Sequence, residues 1–236
     1  MKKIIDIAMS LLGRMFGRKA KSHDKVQLWE GGPYWATTNI GAEKPEDFGY
    51  YFWWGDTVGY KRENDKWVAS DGATSGFTFS FEEGNAPTYG KRSTSLQNAG
   101  WVTADDILEP EYDAAHVKWG DSWRMPTKQE IDDLYKKCEW SWGSMNGVNG
   151  CIFRGKGNYA SASIFLPCAG SGSESSLQRA GVAGVYWSAV PEFAKEGFVC
   201  TSAYALAFRQ DLCFKKAVCG GRFLGYSVRP VQDFVK

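Results

Sequence analysis

The chain has 236 residues, a formal net charge of +1, 27 glycines, 15% aromatic residues and 23% charged residues. That length fits one large domain or two small ones and buries a core without staples or metals. A composition rich in Gly and aromatics belongs to folded, loop-rich chains, and near-neutral charge excludes a general nucleic-acid coat, which needs a broad positive field. His23 and His116 are the only histidines. G-x-S-x-G, C-x-x-C and H-E-x-x-H are missing, as is a phosphate-type glycine loop after a strand-like run. Most hydrolase, zinc and nucleotide chemistries fall away with them, so no catalytic residue, metal or cofactor is expected.

The whole-chain charge hides a split. Residues 1–22 carry a net +5 and the remainder a net −4. In the stretch MKKIIDIAMSLLGRMFGR, Ile4, Ile5, Ala8, Met9, Leu11, Leu12, Met15 and Phe16 fall at helical spacing among basic residues. The Ile4–Leu12 apolar run is too short to span a bilayer. The Lys-Lys start is that of a signal peptide, yet no small-residue cleavage site follows. Residues 1–24 are read as a basic amphipathic arm that lies on a membrane surface or docks on an assembly partner. A helix packed on its own domain and a cleaved signal are the alternatives. Residues 25–236 are read as the domain proper.

Within the domain, Lys25–Glu30 and Tyr34–Ile40 predict short strands joined at Gly31-Gly32-Pro33. Tyr50–Trp54 is five aromatics in a row, a core-filling signal. Residues 56–104 are polar and weakly periodic, which predicts long ordered loops with one or two short strands such as Gly76–Phe81. A short helix is expected over Tyr112–Lys118. The clearest helix starts at Thr127, where Thr127-x-x-Glu130 forms a capping box ahead of the stripe Ile131, Leu134, Tyr135 and Cys138. Glu139–Ser144 and Gly150–Arg154 predict a hairpin around Asn146–Gly150. Strands are further expected at Ser163–Leu166, Val185–Val190, Ala203–Arg209, Leu212–Val218 and Gly225–Val231. The six cysteines permit disulfides, but their spacing names no pairing. The fold class is α+β, with short twisted antiparallel strands, few helices and long ordered loops.

Three blocks carry a resemblance. The first is Trp35-Ala36-Thr37-Thr38-Asn39-Ile40-Gly41-Ala42 with Pro45-Glu46-Asp47-Phe48-Gly49 and Phe52-Trp53-Trp54-Gly55-Asp56. The second is Asp113-Ala114-Ala115 with Trp119-Gly120 and Trp123-Arg124-Met125-Pro126-Thr127-x-x-Glu130. The third is Tyr186-Trp187-Ser188, Arg222, Gly225 and Ser227-Val228-Arg229-Pro230-Val231. Together, over roughly residues 26–232, they resemble the large paralogous surface-domain family of Bacteroidetes and Fibrobacter. That family is related to the formylglycine-generating branch of the C-type lectin fold. Met125 stands where relatives of that branch usually have Leu. On their own terms these residues read as structural, with Arg124 and Arg229 fixing loops through several hydrogen bonds to backbone carbonyls.

The resemblance implies a C-type-lectin-like scaffold that displays a surface and is not an enzyme. In diversity-generating retroelement proteins this fold carries hypervariable residues near its carboxyl end, mutated at template adenines. Residues 189–226 match that pattern in part. Tyr204, Leu206 and Phe208 alternate as a buried face, so Ala205, Ala207 and Arg209 are expected to point outward. The expected contact residues are Phe193, Phe198, Ala205, Ala207, Arg209, Leu212, Phe214, Phe223 and Tyr226, meeting a protein or glycan receptor at a cell or phage surface. Ordinary divergence within a surface family accounts for the same residues.

Two other readings stay open. The formylglycine-generating branch implies a copper-binding cysteine pair, for which Cys213 and Cys219 are nearest. Asp105, Asp106, Glu109, Glu111 and Asp113 supply the hard oxygens of a calcium-dependent lectin, or else form a solvated acidic loop.

Overall fold

A computed structural model describes residues 23–72, 80–120, 122–193 and 200–234, apart from the side chains of Ser93, Thr94 and Cys213. The chain opens with β1 (Lys25–Gln27), β2 (Tyr34–Ala36), β3 (Tyr51–Phe52), β4 (Tyr60–Glu63) and β5 (Lys66–Ala69). Helices α1 (Ser93–Asn98) and α2 (Ala114–Trp119), strand β6 (Trp123–Arg124) and helix α3 (Lys128–Lys137) follow. Then come β7 (Glu139–Met145), β8 (Val148–Arg154), β9 (Ser163–Pro167), β10 (Ser171–Ser173) and β11 (Ser176–Gln178). The carboxyl-terminal third holds β12 (Ala183–Pro191), β13 (Ser202–Arg209), β14 (Leu212–Cys213), β15 (Val218–Gly221), β16 (Tyr226–Ser227) and β17 (Val231–Gln232). The class is α+β, as expected. No helix of the described residues is long and apolar enough to cross a membrane, and the arm lies outside them.

The largest sheet has the order β14-β13-β12-β16-β3-β4-β5, with β15 also on β13. Its pairs are antiparallel except β12 with β16. A four-stranded sheet, β1-β2-β17-β6, joins the two ends of the described chain by the register Val231↔Trp35. A third sheet is the meander β7-β8-β9, and β10 with β11 forms a small ribbon.

The central strands of the large sheet are buried on both faces. Tyr186, Leu206 and Phe208 pack with Leu134, Phe153 and Leu166 in one core. Their neighbours Trp187 and Ala205 pack with Phe52, Trp54 and Val228 in a second. A third core gathers Tyr51, Trp53, Tyr60, Trp67 and Phe81. The aromatic run is therefore divided strictly by strand alternation, with Phe52 and Trp54 going to the second core and Tyr51 and Trp53 to the third. Two indole bonds lock that division, Trp54 Nε1 donating to the Ser188 carbonyl (2.9 Å) and Trp187 Nε1 to the Phe52 carbonyl (2.8 Å).

Helix α3 forms as its capping box predicts. Thr127 Oγ1 accepts from the Glu130 amide (3.2 Å), and Glu130 Oε2 accepts from the Thr127 amide (2.8 Å). The whole stripe Ile131, Leu134, Tyr135 and Cys138 is buried. The predicted helix near 112 starts at Ala114, where the Asp113 carboxylate accepts from the amides of Ala115 (2.8 Å) and His116 (3.2 Å).

Several expected boundaries shift. The β7–β8 turn is only Asn146-Gly147, both at positive φ (49° and 83°), so the strands run to Met145 and from Val148. A second hairpin of the same kind, β4–β5 around Asn64-Asp65, supplies short strands in the 56–104 segment, at a different place from Gly76–Phe81. Most of Gly76–Phe81 lies outside the described residues, and Phe81 makes an isolated bridge to Glu174. The strand expected over Leu212–Val218 is broken. Lys215 takes φ 58°, and the Ala217 amide donates to Asp132 Oδ1 (2.7 Å) on α3 instead of to β13. The strand expected over Gly225–Val231 divides between two sheets as β16 and β17.

Candidate functional site

The structure sorts the expected contact residues into three groups. Arg209, Leu212 and Phe214 are exposed at the end of β13 where it turns into β14. Phe193, exposed beyond β12, and Phe223, half-buried against the third core, lie at the opposite end of β13. Seven residue steps separate the two ends, about 23 Å of strand. Ala205, Ala207 and Tyr226 are buried and present no contact surface, which corrects the outward orientation expected for that face. Ala205 sits directly across from Trp187 in the register, and Tyr226 packs tilted against the same indole at 4.1 Å between centroids. Phe198 lies outside the described residues.

At the turn end, Ala183, Arg209 and Leu212 stand side by side on three neighbouring strands. Val182, next to that row, is 58% exposed, Phe214 43%, Leu212 38% and Trp140 on β7 37%. Trp140 and Lys215 line one open groove of about 770 Å³ with Asp132, Lys136 and Glu139. Asp211 pins the guanidinium of Arg209 at 2.8 Å, an exposed pair that orients the side chain and adds little stability. Val182 and Trp140 escaped the sequence reading because they lie 27 or more residues before Arg209 and join the turn only through the β12–β13 register and the α3 packing.

A cleft of about 780 Å³ opens elsewhere, lined among others by Lys25, Tyr34, Asp105, His116, Arg124 and Asp233. Three of its charged groups, Asp113, Arg124 and Asp233, are occupied structurally. The Asp113 carboxylate caps α2 with one oxygen and accepts from the Met125 amide (2.8 Å) with the other; burial pushes its pKa up against those three bonds. Arg124 is bidentate on Glu130 (2.7 and 2.8 Å) and also meets Asp233. Its bonds run mainly to carboxylates, where carbonyls were expected, and only Met125 contributes a carbonyl (3.2 Å).

Of the acidic residues weighed as calcium ligands, Asp113 is thus committed to the backbone and Asp106 accepts from Gln97 Nε2 (2.7 Å). Among the described residues, no three of His, Cys, Asp or Glu converge on a metal-sized site. Of the two cysteines weighed for copper, the Cys213 side chain is outside the description. The Cys219 thiol is pushed up to about 12, first by the burial of its sulfur and then by its hydrogen bond to the Glu192 carboxylate. Comparisons with family models, curated proteins and solved structures find no match.

Proposed function

We propose that the chain is a non-enzymatic recognition domain on a C-type-lectin-like scaffold. Its contact surface is the turn end of β13–β14, centred on Arg209, Leu212 and Phe214 and extended by Val182 and Trp140. Its receptor is a protein or glycan on a cell surface, and residues 1–24 attach the domain to a membrane surface or an assembly partner.

One observation carries this reading. Among the described residues, four of the eight exposed large hydrophobics lie at or beside that end: Leu212 and Phe214 in the turn, Val182 next to the strand row, and Trp140 in the groove with Lys215, near an exposed arginine. Exposed apolar side chains collected at one end of a sheet among charged ones mark an interaction surface, since water alone gives no reason to collect them. Most polar motif residues are meanwhile spent on the fold: Asn39, Asp113, Ser188 and Arg229 are all buried. Diversification by a retroelement would then act at the turn positions and leave the buried ones constant.

The test is the triple variant Arg209→Ala, Leu212→Ser, Phe214→Ser, applied with wild type to a glycan array and to intact bacterial cells read by flow cytometry. Binding is expected to fall at least about tenfold, with the melting temperature within about 2 °C of wild type because the changes are at the surface. Undiminished binding by the triple variant overturns the assignment of this surface.

A further inference from the structure

Arg222 is 2% exposed, and its guanidinium is only partly paired. Nη2 donates to the Lys91 carbonyl, and the guanidinium carbon lies 5.6 Å from the centroid of the Trp54 ring. Nε and Nη1 are buried with no hydrogen-bond partner. The hydroxyl of Thr88, itself 2% exposed, is also buried and unpartnered. Both residues line the same small, half-open space with Glu83, Tyr89, Thr201 and Phe223. Its volume is about 10 Å³, room for one body the size of a water molecule.

Three polar groups that can donate therefore surround a space that no protein acceptor fills. A buried donor without an acceptor costs roughly 1–3 kcal/mol, and a buried charge without compensation costs more. Among the described residues no carboxylate pairs with Arg222. A water molecule would satisfy donors but leave the charge uncompensated. A halide accepts from every donor at once and neutralises the charge.

We propose that the space between Thr88, Arg222 and Phe223 binds a halide-sized monovalent anion, held by the Arg222 guanidinium and the Thr88 hydroxyl. The anion ties the 83–91 segment to the end of β15, since Thr88 and the Lys91 carbonyl belong to the first and Arg222 follows the second. Glu83, exposed at the rim, opposes larger or more highly charged anions, as does the volume.

The experiment uses the full chain dialysed into sodium gluconate, then titrated with sodium chloride or bromide at constant ionic strength. A saturable rise in melting temperature of about 5 °C is expected with either halide, and it should vanish in Arg222→Met and weaken in Thr88→Val. Crystals of the wild-type chain grown in bromide should show an anomalous peak beside Arg222. No halide-specific rise, or density at that position without anomalous signal, identifies a water molecule and overturns the proposal.

Discussion

Arg222 and Arg229 are seven residues apart, equally buried, and compensated in opposite ways. Burial lowers both guanidinium pKa values to about 10, so each carries a comparable desolvation cost. Arg229 meets that cost with oxygens from the chain. Nε donates to Asn39 Oδ1 (2.8 Å), Nη1 to the carbonyls of Ala36 and Thr37 (3.0 Å each), and Nη2 to the Phe165 carbonyl (3.0 Å). Arg222 has the Lys91 carbonyl, the face of Trp54 and two unused donors. A buried charge thus needs no carboxylate when enough carbonyl dipoles converge on it, and an arginine that lacks them leaves room for something from outside.

The sharpest way to break this comparison is Arg229→Met, which strands four acceptors joining β2 and its following turn to β9. We expect a loss of about 4 kcal/mol or a chain that does not fold, read by urea unfolding. Asn39→Ala should follow at about 2 kcal/mol, because Asn39 supplies the side-chain acceptor and itself donates to the Phe48 carbonyl (3.0 Å). Arg222→Met, measured in gluconate, should be neutral or slightly stabilising, since it removes two unpartnered donors and an uncompensated charge at the loss of one carbonyl bond. Equal costs for the two arginine variants would erase the distinction drawn here.

A smaller effect concerns the buried thiols. Burial holds Cys138 and Cys168 up to about 12, against an ordinary value of 9.0. Above pH 9 the unfolded chain releases these protons first while the folded chain keeps them, so stability falls as pH rises toward 12. The urea midpoint should drop between pH 8 and pH 10, and less so in Cys138→Ala/Cys168→Ala.

The elements that could be read in the sequence are those whose signals are local. Thr127 and Glu130 lie three residues apart and close their box within one helical turn, so the start of α3 was legible to the residue. Asn146-Gly147 announced its hairpin, though the turn proved tighter than its polar flank implied. Arg229 was legible as a loop-fixing residue, but its partners up to 193 positions away were not. The misreading of β13 has a specific cause. Alternation assigns one outward face to a strand, whereas Ala205 lies across from Trp187 and Gly184 across from Phe208, so small residues fill the places beneath large ones. Ala on such a strand signals a bulky cross-strand neighbour rather than solvent.

The sequence by itself determined the α+β class, the capped helix and the aromatic material of the cores, because propensity, capping and period are properties of neighbouring residues. Only the tertiary structure decided which face of β13 meets solvent, that Val182 and Trp140 join Leu212 and Phe214, and that Arg222 is short of acceptors. Those outcomes depend on strand register and on burial from both sides, which bring together residues that no local pattern relates.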